Sequence, residues 1–262
     1  MTGYTTELHS LCIMSRTQRT LGLARSLFIY HAIPGRQSRL RKIYRQFVSA
    51  GDLVFDLGAH VGNRTRAFNA LGCRVIAVDP HPDCVRILTT LFGHSPRIDI
   101  LPSAVSETVG HVALSISERH PTLNTIDADW QDDREQDPRF GAIQWNHTLD
   151  VPSTTLDALV DSYGLPAFVK IDVEGAEPRI LNGLSHRLPA LSFEYLPGSI
   201  ENARTCINRL STLGRYRFNW SPGESYQLAS TQWLDRPTFE SVLTTTSGHV
   251  ESGDIYAILD KT

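Results

Sequence analysis

The sequence predicts an α/β protein: a mainly parallel sheet covered by helices on both faces, with N-terminal helices ahead of it. Three observations predict this. Short apolar runs alternate with amphipathic helical patterns from residue 51 onward, and the first run ends in a glycine-bearing turn that opens a helix. The third is composition: 262 residues, 41% hydrophobic and 20% charged, support one compact domain with short additions.

In chain order, Ala24, Leu27, Phe28 and His31, then Leu40, Ile43, Tyr44 and Phe47, recur at helical spacing. They give two amphipathic helices broken near Pro34 and Gly35. Residues 1–50 therefore form a helical extension, read as a lid or a homodimer contact, and the main domain spans 51–262. Leu53 to Leu57 is a buried strand, Asn63 to Leu71 a helix capped by Gly72, and Arg74 to Val78 the second strand. Pro82 and Asp83 start a helix carrying Cys84, Ile87, Leu88 and Leu91 on one face, which Gly93 stops. Ile98 to Leu101 is strand three and His111 to Ser117 a peripheral strand. The polar stretch 118–148 reads as a solvated insertion whose acids match no calcium loop. Thr155 to Asp161 is a helix, Phe168 to Asp172 a strand, Pro178 to Leu184 a helix and Leu191 to Tyr195 a strand. A helix through Ala203, Cys206, Ile207 and Leu210 ends at Gly214, and strands at Arg215 to Trp220 and Ile255 to Leu259 complete the chain.

Several classes are disfavoured. A formal charge of −3 gives no field for nucleic acid, although eight basic residues against Glu7 in the first fifty imply a basic helix face there. The apolar patches Leu11 to Met14 and Leu27 to Ile33 are too short to span a bilayer. Cys12, Cys73, Cys84 and Cys206 form no paired motif and no metal spacing, which suits a reducing, cytoplasmic setting; no metal site is predicted.

The most informative segment is Asp56-Leu57-Gly58-Ala59-His60-Val61-Gly62-Asn63. A buried strand turns sharply here, glycine permits close backbone approach, and the helix that follows offers unpaired N–H groups. Seventeen residues beyond Gly62 the second strand ends in Asp79, where a carboxylate reaches the hydroxyls of a ribose, so an adenosine-containing cofactor is expected. His60 and Asn63 stand where a dinucleotide fingerprint has its second and third glycines, which argues against a nicotinamide-dependent oxidoreductase.

This pattern resembles the first two motifs of Rossmann-like S-adenosylmethionine-dependent methyltransferases. A second signature narrows it: Thr155-Leu156-Asp157 precedes Lys170-Ile171-Asp172-Val173-Glu174-Gly175-Ala176-Glu177, and Leu181-Asn182-Gly183 closes the next helix. The chain from about Gly51 to Tyr195 is similar to the FkbM-type methyltransferases, although His60 stands where that family often has Asn. The resemblance implies a seven-stranded sheet of the class I methyltransferase fold and methyl transfer from S-adenosylmethionine to a hydroxyl of a small molecule, sugar or secondary metabolite. It also implies that Asp56, Gly58, Ala59, His60 and Gly62 border the methionine end of the donor, Asp79 takes the ribose with Pro80 and His81 beside it, and Ser103, Ala104 and Val105 meet the adenine. The same resemblance implies that Asp172 sits beside the donor at the tip of its strand.

An alcohol is a poor nucleophile unless its proton leaves as the new bond forms, so a general base is needed. The candidates are Glu174, then Glu194, with Asp172, His60, His81 and His147 also at loops or strand ends. Tyr195, Trp220, Tyr226 and Trp233 are candidates for an aromatic wall of the acceptor pocket. The rival reading is a noncatalytic S-adenosylmethionine-binding module, which binds the donor without turnover.

Overall fold

The computed structural model describes residues 33–117, 123–136, 143, 145, 147–246 and 252–260. The helix expected around Ala24 to His31 lies outside them, as does Cys12.

Helix α1 (Arg36–Tyr44) is followed by strand β1 (Leu53–Leu57), α2 (Asn63–Ala70), β2 (Arg74–Val78), α3 (Pro82–Phe92) and β3 (Ile98–Leu101). Next come β4 (Ala104–Val105), β5 (Gly110–Ile116), α4 (Ala128–Gln136), β6 (His147–Thr154) and α5 (Leu156–Tyr163). The chain continues through β7 (Phe168–Ile171), α6 (Glu177–Asn182), β8 (Ala190–Tyr195), α7 (Ile200–Leu213), β9 (Tyr216–Pro222), α8 (Arg236–Thr246) and β10 (Gly253–Leu259). Seven strands form the main sheet in the order β3-β2-β1-β7-β8-β10-β9. β1 pairs in parallel with β2 and β7, and β7 with β8, while β10 runs antiparallel to both its neighbours.

Strand alternation assigns the two faces. Phe55, Leu57, Val169 and Ile171 join Leu156 and Leu159 of α5, Ile180 and Leu181 of α6, Cys206 and Leu210 of α7, and Phe239 of α8 in one core. Val54, Val75 and Phe168 join Leu40, Ile43 and Tyr44 of α1, Phe68 of α2, and Leu88 and Phe92 of α3 in the other. With both faces covered, the central strands are buried along their length and read as continuous apolar runs. Two exceptions in the second face are Asp56 and Lys170, register partners on β1 and β7 and both fully buried. α1 spends its apolar side on its own sheet, so this helix does not offer that side to a second copy.

The polar stretch 118–148 departs from the solvated loop expected. It contains α4, whose Trp130 and Arg134 are buried, and Asp127 caps that helix by accepting from the Trp130 N–H at 2.8 Å. A small sheet, β4-β6-β5, stands beside the main one, with Ala104, Leu114, Ile116 and Val151 as its core. Among the described residues no helix is long and apolar enough to cross a membrane.

Candidate active site

The parallel strands β1, β2 and β7 deliver their carboxyl ends to one edge, where an open α/β sheet binds ligands. Gly58 follows β1 with φ of 75° and Gly62 precedes α2 with φ of 79°. A Cβ on Gly58 would overlap the Asp172 carbonyl oxygen, so only glycine lets the turns after β1 and β7 touch. The Gly58 and Ala59 N–H groups both donate to the Val78 carbonyl, at 2.9 and 3.0 Å, which closes the turn onto the end of β2.

Asp79 is the next residue and is 6% exposed. Its Oδ2 accepts from the His60 N–H at 2.8 Å and its Oδ1 from the His81 N–H at 2.9 Å. Burial still outweighs these bonds and pushes its carboxyl up to about 6. His81 then caps α3, its Nδ1 accepting from the Asp83 N–H at 3.1 Å, with Pro82 in the first turn.

A cleft of about 810 Å³, including its open mouth, is lined by these turns. Gly58, His60, Asp79, Pro80, His81, Ser103, Ala104, Val105, Asp172 and Glu174, all singled out in the sequence, line it together. Asp56, Ala59, Gly62 and Glu194 are not in its wall. Asp56 points into the sheet face instead, where its Oδ2 accepts the Thr65 hydroxyl at 2.5 Å, and Gly62 is packed against Leu88 and Phe92. The sequence reading passed over Asn63, Arg64, Asn124 and Ile126, which also line the cleft. The first two open α2 directly behind the glycine turn, a signal that was legible; the other two come from the stretch read as a loop.

The turn after β7 places the carboxylates. Glu174 has φ of 53° and Gly175 φ of 97°, two left-handed residues in succession. A non-glycine residue there is strained, and its neighbours hold it. The Thr125 hydroxyl donates to the Glu174 carbonyl at 2.6 Å, Trp130 lies against Gly175, and Glu177 Oε1 accepts from the Val173 N–H at 3.1 Å. Glu177 therefore shapes the turn. Carboxylate oxygens of Asp172, Glu174 and Glu194 lie within 4.8 Å of one another.

Their proton affinities diverge. Burial and the Glu194 and Asp172 charges push the Glu174 carboxyl well above its ordinary range, and burial with the Asp172 and Glu177 charges does the same to Glu194. At Asp172 burial is overcome by Arg64, Lys170 and His60, which hold it below its ordinary value. Arg64 Nη1 is 2.8 Å from Asp172 Oδ2. The arrangement thus sets one carboxylate held charged beside two carboxyls whose proton affinity is raised by burial and like charge.

Tyr195, Trp220, Tyr226 and Trp233 do not wall the cleft. Tyr195 and Trp220 belong to the core under α7 and α8, while Tyr226 and Trp233 pack with the α1 side of the sheet. The aromatic pair near the site is Trp130 and Trp145, edge to face at 6.1 Å. His147 is exposed on β6 and does not line the cleft.

The cleft suits the donor implied by the sequence resemblance. Each Asp79 oxygen retains a lone pair for a ribose hydroxyl after its backbone bond. Arg64 Nε and Asn63 Nδ2 are buried in the lining without hydrogen-bond partners, two donors suited to the carboxylate of an amino acid.

Residues 56–202 match the family described as the methyltransferase FkbM domain. No curated protein matches the chain significantly. Similar solved structures include an O-methyltransferase from Bacillus cereus in complex with SAH (11% identity, covering 94% of this chain and 90% of that one, TM-score 0.47). Others are a precorrin-6y C5,15-methyltransferase from Geobacter metallireducens (10% identity, 85% and 87% covered, TM-score 0.45) and an rRNA methylase from Streptococcus thermophilus (9% identity, 84% and 94% covered, TM-score 0.42).

Proposed function

The chain belongs to the FkbM family of S-adenosylmethionine-dependent methyltransferases, and from that premise we propose that it methylates a hydroxyl oxygen of a small molecule, a sugar or a secondary metabolite. The observation that supports the choice of oxygen is the Glu174 carboxyl in the cleft wall, with the Asp172 and Glu194 carboxyls within 4.8 Å of it. A thiol or amine nucleophile needs little help, whereas an alcohol needs a base.

The donor, when bound, supplies a methyl group on a sulfonium sulfur. Asp79 takes the ribose hydroxyls, with Pro80 and His81 beside the sugar, and Ser103, Ala104 and Val105 flank the base. Gly58 and His60 line the methionine end, while Asp56, Ala59 and Gly62 support that turn from behind. Arg64 and Asn63 offer N–H groups to the amino acid carboxylate, and Asp172 offers negative charge to its ammonium or to the sulfonium. Glu174 takes the proton as the acceptor oxygen attacks, and the Glu194 carboxyl nearby raises its proton affinity. The strained backbone at Glu174 fixes its approach, and alignment of the acceptor with the methyl–sulfur bond supplies most of the remaining rate.

We place the reaction in a reducing, cytoplasmic compartment; Cys73, Cys84 and Cys206 are free and buried. The partner is a small-molecule or glycosyl acceptor rather than nucleic acid. Incubation of the protein with methyl-labelled S-adenosylmethionine and a metabolite extract from its source tests the proposal. Label in an ether linkage of one compound supports it. Label on carbon or nitrogen overturns the choice of oxygen, and donor binding without transfer would favour a noncatalytic module.

A further inference from the structure

Lys170 is fully buried, does not reach the cleft wall, and has no part in the chemistry above. Its Nζ lies 2.7 Å from Asp254 Oδ1 and 3.9 Å from Asp172 Oδ1, and it donates to the Ile171 carbonyl at 3.1 Å. Asp254 belongs to β10, so the lysine reaches across β8 to its partner. We infer that Lys170, anchored on Asp254, is a positioning residue of the donor site: from inside the sheet face it keeps the Asp172 carboxylate as a fixed negative charge at the cleft wall. The inference rests on the reading that Asp172 faces the donor.

The geometry supports this in two ways. Asp172 is held on both oxygens, Oδ2 by Arg64 from α2 and Oδ1 by Lys170 from its own strand, so its carboxylate plane is set by cations on two elements. A buried lysine needs compensation, and a single aspartate would suffice for that; here the ammonium lies between two, and the second lines the cleft. The titratable groups facing this cluster are Asp56 from β1, Arg64 from α2, His60 from the glycine turn, Glu174 from the turn after β7, Glu177 from α6, Glu194 from β8 and Asp254 from β10. Tyr44 and Tyr256 also face it and stay neutral, burial having pushed both phenols well up. The Asp172 and Asp254 charges together overcome the burial that would otherwise deprotonate Lys170.

The test is calorimetric binding of S-adenosylhomocysteine and S-adenosylmethionine to the full chain from about pH 3 to about pH 8.5, for wild type, Asp254→Asn and the double variant Lys170→Met/Asp254→Asn; the Asp79 step near 6 is common to all three, and the Asp172 step lies below it. In Asp254→Asn the Lys170 ammonium faces Asp172 with no second carboxylate beside it, so the Asp172 step of the affinity profile moves to lower pH while the Asp79 step stays. In the double variant no buried charge of this pair is left unpaired, yet Asp172 has lost one cation. Affinity near neutrality then falls about tenfold and the acid-side loss moves to higher pH. A lysine that served only to neutralise Asp254 predicts the opposite: the double variant binds as wild type, with an unchanged pH profile, and that result overturns the inference. If the double variant melts without a cooperative transition, Asp254→Asn decides alone, an unchanged or upward-shifted profile counting against the proposal. No binding by the wild type would instead overturn the donor-site reading, and the inference with it.

Discussion

Replacing Asp79 by Asn should have opposite effects on stability and on donor binding. The Asp79 carboxyl is raised from its ordinary 3.8 to about 6, chiefly by burial. A folded-state value above the unfolded one means that the fold favours the protonated form. The stabilising contribution is complete below pH 3.8 and is lost as pH rises through about 6. Above that, the ionised group costs about 3 kcal/mol relative to an unshifted carboxylate. Asparagine removes this cost but presents one carbonyl oxygen where two carboxylate oxygens serve the His60 and His81 N–H groups, a loss of about 1–2 kcal/mol. The unliganded variant should therefore gain about 1–2 kcal/mol at pH 8, which in a chain of this size raises the melting temperature by roughly 2–4 °C per kcal/mol. Near pH 5 only about half of this cost remains, because the unfolded carboxyl is still ionised there while the folded one is mostly protonated, so the gain shrinks to about nothing. Donor binding moves the other way, weakened about 10- to 100-fold by loss of charge-assisted bonds to the ribose. Thermal melts at the two pH values, with calorimetric titration of S-adenosylhomocysteine, measure both effects. A variant less stable at pH 8 than at pH 5 relative to wild type, with unchanged donor affinity, would refute the reasoning.

Gly58→Ala should destabilise the protein by about 3 kcal/mol or more, because the left-handed backbone alone costs roughly 1–2 kcal/mol and the added carbon overlaps the Asp172 carbonyl. Urea unfolding and donor titration should show both stability and binding reduced, and a wild-type midpoint would contradict the account of this turn. Glu174→Gln keeps the side chain's shape but cannot take a proton, so turnover on the identified acceptor should drop about 10²- to 10⁴-fold with donor affinity within about twofold. Full activity would remove Glu174 as the base. Three carboxyls this close could also hold a divalent cation, and the proposed function assigns them proton transfer instead. Treatment with EDTA should leave turnover unchanged, and activity restored by added Mg²⁺ would reverse that assignment.

The parts of the fold legible in the sequence were those buried on both sides. β1 and β2 run where their apolar segments begin and end, because a strand inside a covered parallel sheet has no polar face to interrupt it; β3, at the sheet edge with Asp99 exposed, shows instead as alternating Ile98 and Ile100. Of the small sheet, β5 was legible as a peripheral strand, but β6 was hidden for the converse reason. β6 carries Pro152 and mostly exposed polar residues, and only Val151 and Ser153 are buried. α4 was hidden by its acids, although Asp127 at its start is an ordinary capping residue. In the site, the glycine turn, Asp79 and Glu174 could be found because each sits in a local motif. Arg64 could have been found as a cleft residue because it opens α2 behind the glycine turn, but its pairing with Asp172 could not, since the two elements meet only in the folded sheet. Asp254 could not: its bond to Lys170 joins residues 84 apart and exists only because β10 enters the sheet antiparallel beside β8.

A crystal structure of the protein with S-adenosylhomocysteine tests the central claim most directly. The account predicts the nucleoside in the cleft over Gly58, both ribose hydroxyls within hydrogen-bond distance of the Asp79 carboxylate, and the sulfur turned toward Glu174. A ligand bound elsewhere, or a ribose pointing away from Asp79, would contradict it.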